Sequence, residues 1–426
     1  MVDVGVDTLT VWRTGPPPTL PGSVSLGSLA SMPPTDAPTT TPGPSVGERG
    51  DVEKLAARFR LLADGDFAGY CPTYDRIARA LADEDDALGL LIGLVPVNRT
   101  PVLSLAATHD LVLADPGGEL AAIYRGDLER DPWPAFRALL YHHTDQIRDL
   151  MATRSIQTNE VGRTTALLPA LATVTARQRA GGDERGLALL EIGPSAGLNL
   201  ALDRFRFTYT DGNGDPLVES GPASSPLHLL CDVRGVHLPP MPSVPLRIAL
   251  REGIDLEPID VDDDDACRWL SACLWPGIPD RSQRLATAIA IARCDPPRLH
   301  EGNAVTDLAR HLDDIGGEFL PVVLSTWALA YVDPEGRQSV VDTIDAIGAS
   351  RDLAFVTAET PGVTPWVPTP DEPSAEAAAG AGAGGGDGTT TLVGLRHWRD
   401  SQVSTDALGF MHPHGRWLAW LTGETP

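Results

Sequence analysis

Glu191, Gly193, Ser195 and Gly197 stand at alternate positions just after four apolar residues, Leu187 to Leu190. The apolar run predicts a buried strand, the small residues a tight turn, and the apolar repeat that follows predicts a helix. A helix start leaves backbone N–H groups unpaired and suits an anionic or electron-rich ligand. An acid at the strand end suits a sugar hydroxyl or a cationic group. Glu191, Gly193, Ser195 and Gly197 are therefore the first candidates for a binding loop.

The spacing E-x-G-x-S-x-G resembles the first motif of Rossmann-like S-adenosylmethionine methyltransferases, with Ser195 where a glycine commonly stands. The same letters match the G-x-S-x-G nucleophile elbow of α/β-hydrolases, which would make Ser195 a nucleophile. A hydrolase places several strands and an oxyanion loop before its elbow. Here a helical segment precedes it, and the other strands follow, which favours the methyltransferase order. His412 or His414 would still complete the order Ser…Asp…His, so the serine hydrolase stays as an alternative. A non-catalytic protein that binds a nucleoside or a partner is a third reading.

Further candidates lie at later strand ends. A strand ending in Gly253-Ile254-Asp255 would offer Asp255 to ribose hydroxyls, although the interval from the glycine motif is far longer than usual. Asn303 precedes a helix and could accept a bond from an adenine amine; equally, it could cap that helix. Ser325 and Trp327 follow a fourth strand, where open parallel sheets place ligands, and could line the substrate side.

These residues need elements to position them. Residues 1–48 are rich in Pro, Thr, Ser and Gly and are expected to be a disordered tail. From 49 to 182 the periodicity is helical, with helices expected over 52–63, 73–82, 134–152 and 164–179, and the segment is expected to be an all-α domain. From 183 to 426 strands (187–192, 246–250, 298–301, 320–325, 353–358) alternate with helices (263–274, 281–292, 306–315, 334–350). That alternation predicts an α/β fold: a Rossmann-like methyltransferase domain on a parallel sheet with antiparallel C-terminal strands. The late strands are expected over 391–398, 407–412 and 416–421. Residues 203–245 carry Phe205, Phe207, Tyr209 and a Gly/Asn turn, which predict a β-hairpin insertion. Residues 370–391 include a Gly/Ala run, expected to be a flexible loop.

Composition narrows the partners. The 426 residues carry a net charge of −25, which argues against nucleic acid and anionic membranes. Lys54 is the single lysine. An acid-rich, lysine-poor surface suits a cytoplasm of high ionic strength, so a halophilic protein is expected. The five cysteines lack C-x-x-C spacing and predict neither disulfides nor a zinc site, consistent with a cytoplasmic location. No apolar run reaches membrane-spanning length.

Several runs together resemble domain-of-unknown-function family 2332. They are Gln157-Thr-Asn-Glu-Val-Gly-Arg163 with Thr164 to Pro169, Glu191 to Asn199, and Gly253 to Pro258. Arg268 to Pro276 with Arg281, and His412-Pro-His-Gly-Arg-Trp417, complete the set. The resemblance covers about 50 to 421 and implies a methyltransferase-like fold without assigning an activity. It also draws attention to Asn159, Glu160 and Arg163, which would present polar groups from the helical segment toward a cofactor or substrate. The plainer role for Glu160 and Arg163 is a helix cap and a local ion pair. His412 and His414 alternate in a strand-like run and would share a face. Glu160, His412 or His414 would act as general base where the acceptor of a methyl group needs deprotonation. The expected cofactor is S-adenosylmethionine, the acceptor is open, and no metal is expected.

Overall fold

A computed structural model describes residues 46–278, 280–369 and 390–421. The expected tail over 1–48 and Gly/Ala loop over 370–391 lie outside the described residues except at their ends, where Val46 begins a helix and Thr391 a strand. Helices come first: α1 (Val46–Leu62), α2 (Pro72–Ala82), α3 (Asp85–Gly89), α4 (Thr100–Ala114), α5 (Glu119–Arg125), α6 (Trp133–His142), α7 (Thr144–Thr153) and α8 (Thr164–Ala180). The helix expected over 134–152 is two helices that break at His143. The short α3 and α5 lie outside the expected helices, and so does the 15-residue α4. It is buried over most of its circumference, so it lacks the one-sided stripe that marks a helix in sequence.

The α1–α7 segment has its own apolar cluster, built on residues such as Leu55, Phe59, Phe67, Tyr74 and Phe136. The eighth helix belongs elsewhere. Its residues Ala166, Leu167, Leu171 and Val174 pack with strand residues in a second cluster. Helix α8 carries Pro169 in its interior. Proline lacks the N–H that would bond the Thr165 carbonyl. The Tyr209 hydroxyl replaces it, donating to that carbonyl at 2.8 Å.

Five strands follow, and from the fifth to the eighth, strands alternate with helices. In chain order they are β1 (Gly186–Ile192), β2 (Arg206–Thr210), β3 (Pro216–Ser220), β4 (His228–Val233), β5 (Ile248–Asp255), α9 (Asp264–Ala272), α10 (Arg281–Cys294), β6 (Arg298–Glu301) and α11 (Ala304–Asp314). There follow β7 (Phe319–Thr326), α12 (Pro334–Gly348), β8 (Leu353–Glu359), β9 (Thr391–Arg399), β10 (Gln402–Met411) and β11 (Trp417–Trp420). The chain is thus α/β. All eleven described strands form one mixed sheet in the order β3-β2-β4-β11-β10-β9-β8-β7-β1-β5-β6.

From β6 to β8 the strands run parallel, and the order turns back between β1 and β7. Strands β9, β10 and β11 then form an antiparallel meander. The expected hairpin over 203–245 is present as β2 and β3. It is not a separate insertion, however: β4 pairs with both β2 and β11 in parallel, so this segment extends the main sheet.

Side chains alternate across the sheet, and the two clusters on its faces follow that period. Leu187 and Leu189 of β1 meet α8, with Leu320, Val322 and Leu324 of β7. Ala188, Leu190 and Ile192 meet α11 and α12 on the opposite face, with Val323 of β7. No described helix is long and apolar enough to cross a membrane.

Candidate functional site

Strand β1 ends at the place where the strand order reverses, and Glu191 sits on its α8 face. It is 1 % exposed. Glu191 Oε1 accepts from Asn199 Nδ2 at 3.0 Å and from the Thr326 hydroxyl at 3.4 Å, while Oε2 has no partner. Burial is the largest influence on this carboxyl and pushes it up to about 7, against the bonds from Asn199 and Thr326 and the charge of Arg163. A buried carboxyl with a vacant oxygen can hold a cation once it ionises.

Arg163 meets the same threonine from the other side of the chain. It donates Nη1–H to the Thr326 carbonyl at 2.9 Å and Nε–H to the Pro413 carbonyl at 3.1 Å. Its guanidinium lies 5.6 Å from the Trp327 ring. Arg163 is buried and makes no ion pair among the described residues. A buried cation paired only with carbonyls and a ring face still has a charge that an anion could neutralise. Asn159 Nδ2 donates to the Pro194 carbonyl, and its Oδ1 is unpartnered, as is Asn199 Oδ1. Glu191, Asn199, Arg163 and Thr326 are thus brought together at the carboxyl ends of β1 and β7.

The glycine loop differs from the expectation. No α-helix follows it; Leu198–Arg204 is a 3-10 stretch with a kink at Ala201. Its N–H groups are used within the protein. Gly193 N donates to the Ile254 carbonyl at 2.9 Å, Gly197 N to the Pro194 carbonyl at 2.8 Å, and Ser195 N to Asp255 Oδ2 at 2.8 Å. The expected helix N-terminus aimed at a ligand is therefore absent here. Gly197 has a φ of 67°, and a Cβ there would stand 2.7 Å from Pro297 Cγ. At Gly193 it would stand 2.8 Å from the Ala328 Cβ. Both glycines are needed for the turn and for close packing of protein on protein.

Asp255 ends β5 as expected, but both of its oxygens take backbone donors, Ser195 N and Glu257 N. It holds the glycine loop to β5. Asn303 adopts its plainer role: Oδ1 accepts from Val305 N at 2.9 Å and caps α11. Ser325 is fully buried on the sheet face opposite Glu191, because side chains alternate. It donates to Glu359 Oε1 at 2.7 Å, which also accepts from Ala328 N and Leu329 N. Ser325 therefore braces the turn after β7. Trp327 has a φ of 56°, and its ring N–H donates to Thr391 Oγ1 at 2.8 Å. Its contact with the site is the ring face under Arg163.

Glu160 caps a short 3-10 turn (Val161–Arg163) by accepting from Gly162 N. Its ion pair is with Arg281 of α10, at 3.0 Å, and not with Arg163 as expected. His414 Nδ1 lies 3.3 Å from the same carboxylate oxygen. Burial would raise the Glu160 carboxyl, but the His414 contact and the Arg281 charge outweigh it and hold the group well below the usual range. Burial lowers His414, opposed by the Glu160 contact, and so favours the neutral imidazole. His412 and His414 do not share a strand face. Strand β10 ends at Met411, and residues 412–416 are the turn to β11. There His414 N donates to His412 Nδ1 at 2.9 Å, with the two rings 5.5 Å apart.

The turn docks on the helical segment at a point where only glycine fits. A Cβ on Gly162 would overlap the His414 carbonyl oxygen, and one on Gly415 would overlap the Gly162 carbonyl. A run near 160 and another near 414 thereby become one wall. Thr326, Asn199, Glu359 and Arg281 were not named as site residues from sequence. Glu359 gives the same signal as Glu191, an acid closing an apolar run.

A family model described as "Uncharacterized protein conserved in bacteria", domain-of-unknown-function family 2332, matches residues 56–420. The chain belongs to this family. The match takes in every candidate residue above, from Asn159 to His414, so the walls of the site lie inside the family's span. No curated protein matches the chain.

Proposed function

We propose that the protein is an S-adenosylmethionine-dependent methyltransferase whose acceptor is a small molecule still to be identified. One observation carries the reading. Glu191, with a vacant carboxylate oxygen, and Arg163, with no ion pair among the described residues, converge on Thr326 at the reversal of the strand order. An anion site and a cation site this close, both buried, suit the zwitterionic amino-acid end of that cofactor. The order β6-β5-β1-β7-β8 supports the finer fold assignment, because it follows the 3-2-1-4-5 order of doubly wound nucleotide-binding sheets. A helical segment acting as a cap over such a domain is part of the same proposal.

When bound, S-adenosylmethionine supplies an electrophilic methyl group. Glu191 would take the ammonium end and Arg163 the carboxylate, with Asn199 and Asn159 offering vacant amide oxygens. Asp255 contributes by fixing the loop that carries Ser195. His414, whose burial favours the neutral imidazole and which Glu160 backs, would take a proton from an acceptor. Arg281 holds the Glu160 charge in place.

Calorimetry with S-adenosylmethionine and S-adenosylhomocysteine in molar potassium chloride tests the reading. Binding of both is expected, weakened at least tenfold in Glu191→Gln. A folded protein that binds neither would overturn it, and binding without methyl transfer to any acceptor would reduce it to a nucleoside-binding protein.

A specific feature favours a second reading. Ser195 has a φ of 54° and an unpartnered, buried hydroxyl, and strained φ is a mark of a nucleophile elbow. No imidazole among the described residues bonds to that hydroxyl. Stoichiometric labelling of Ser195 by a fluorophosphonate would establish the hydrolase in place of the transferase.

A further inference from the structure

Away from the site described above, α11 covers the far edge of the sheet, on the face that carries Ile254. Its buried stripe is Leu308, His311 and Leu312, with Ile315 just beyond. His311 occupies a position where the stripe would carry an apolar residue, and it is 2 % exposed. Directly beneath, Glu252 of β5 and His300 of β6 share one sheet face, since Glu252 pairs with Arg298 and Ile254 with His300.

We infer that Glu252, His300 and His311 form a binding site for a divalent transition metal ion, with zinc as the reference ion. Each residue offers one ligand atom, and the three atoms lie within 4.8 Å of one another. His300 Nε2 stands 3.4 Å from Glu252 Oε2, and the two imidazole rings are 4.4 Å apart. His300 Nε2 is buried and makes no hydrogen bond. Two imidazoles and one carboxylate are a common set for zinc and for neighbouring first-row ions. With bonds of 2.0–2.2 Å, tetrahedral ligand atoms stand about 3.4 Å apart. Small side-chain rotations close the triad to that spacing.

The surroundings permit this. Arg298 reaches Glu252 Oε1 at 3.3 Å, which leaves Oε2 toward His300, and the Arg298 side chain is mostly in solvent. Arg310 Nη2 donates to His311 Nε2 at 3.1 Å, so that nitrogen carries a lone pair. The long arginine side chain can swing away when the ion takes its place. Asp307, one turn before His311 on α11, is engaged with Asn303 N. Three protein ligands leave a fourth position open to solvent or a ligand.

The test is zinc titration of the chelator-treated full chain by calorimetry, with cobalt absorption as a second measurement. One tight equivalent is expected, weakened at least tenfold in His300→Ala and in Glu252→Gln with circular dichroism unchanged. Cobalt should give a ligand-field spectrum without thiolate charge transfer. No binding by the wild-type chain overturns the inference. So does unchanged affinity in both variants, or a thiolate band pointing to the exposed Cys294. The outcome is independent of whether a nucleoside binds at Glu191.

Discussion

At the residue scale the site turns on the charge state of Glu191. Its carboxyl titrates near 7 because burial disfavours the ion. A cationic ligand needs the ionised form, so affinity for S-adenosylhomocysteine should rise about tenfold between pH 6 and pH 8. Calorimetry across that range checks it; a flat profile would remove Glu191 from the cation site. The same shift bears on stability. Folded Glu191 keeps its proton up to about pH 7, whereas an unfolded glutamate releases it near its ordinary value of 4.5. The folded state thus binds more protons across that window, and stability falls as pH rises through it. Glu191→Gln should abolish that part of the decline while costing ligand affinity, as thermal melts at pH 5 and pH 8 would register. Ser195→Gly should retain binding and gain stability, because glycine adopts the left-handed conformation without strain.

At the scale of elements, helix α8 links the helical segment to the sheet. Its interior proline leaves the Thr165 carbonyl dependent on Tyr209 of β2. Tyr209→Phe removes that donor and strands a buried carbonyl, at a cost of about 1–3 kcal/mol. Urea denaturation would measure it, and a loss below a few tenths would mean the carbonyl finds another partner. The contact of Gly162 with the His414 turn is less forgiving. A Cβ at Gly162 meets backbone that cannot rotate away. Gly162→Ala should separate His414 from Glu160, and the pH dependence of any turnover should shift with it. Unaltered pH dependence in a folded variant would count against His414 as the base.

For the whole molecule, the net charge of −25 dominates. Exposed acids repel one another in dilute buffer, and salt screens that repulsion over about 10 Å at 0.1 M. Thermal stability should therefore rise as potassium chloride goes from dilute to molar. A melting temperature that falls or stays flat with salt would argue against a halophilic design. Surface pairs such as Lys54–Asp51 and Arg60–Asp83 are largely exposed and offset little of the repulsion.

The family, the alternation of strands and helices from β5 to β8, and the acid that closes β1 are all legible in the sequence. These are local signals: an apolar run, a period, an acid at a strand end. It also placed Asp255 and Asn303 at turns, while their partners were invisible. Which groups meet is set by contacts between distant parts of the chain. Glu160 pairs with Arg281, 121 residues away, and Arg163 reaches Thr326 across 163 residues. The backbone donors of the glycine loop are consumed by Asp255, Ile254 and Pro194, which no spacing rule could foresee. Ser325 faces away from Glu191 because its face depends on strand register, and a shift of one residue reverses every side chain. The metal-ligand triad shows the same limit. Its members come from β5, β6 and α11 and meet only when the helix folds back over the sheet edge, so no local sequence pattern could reveal it.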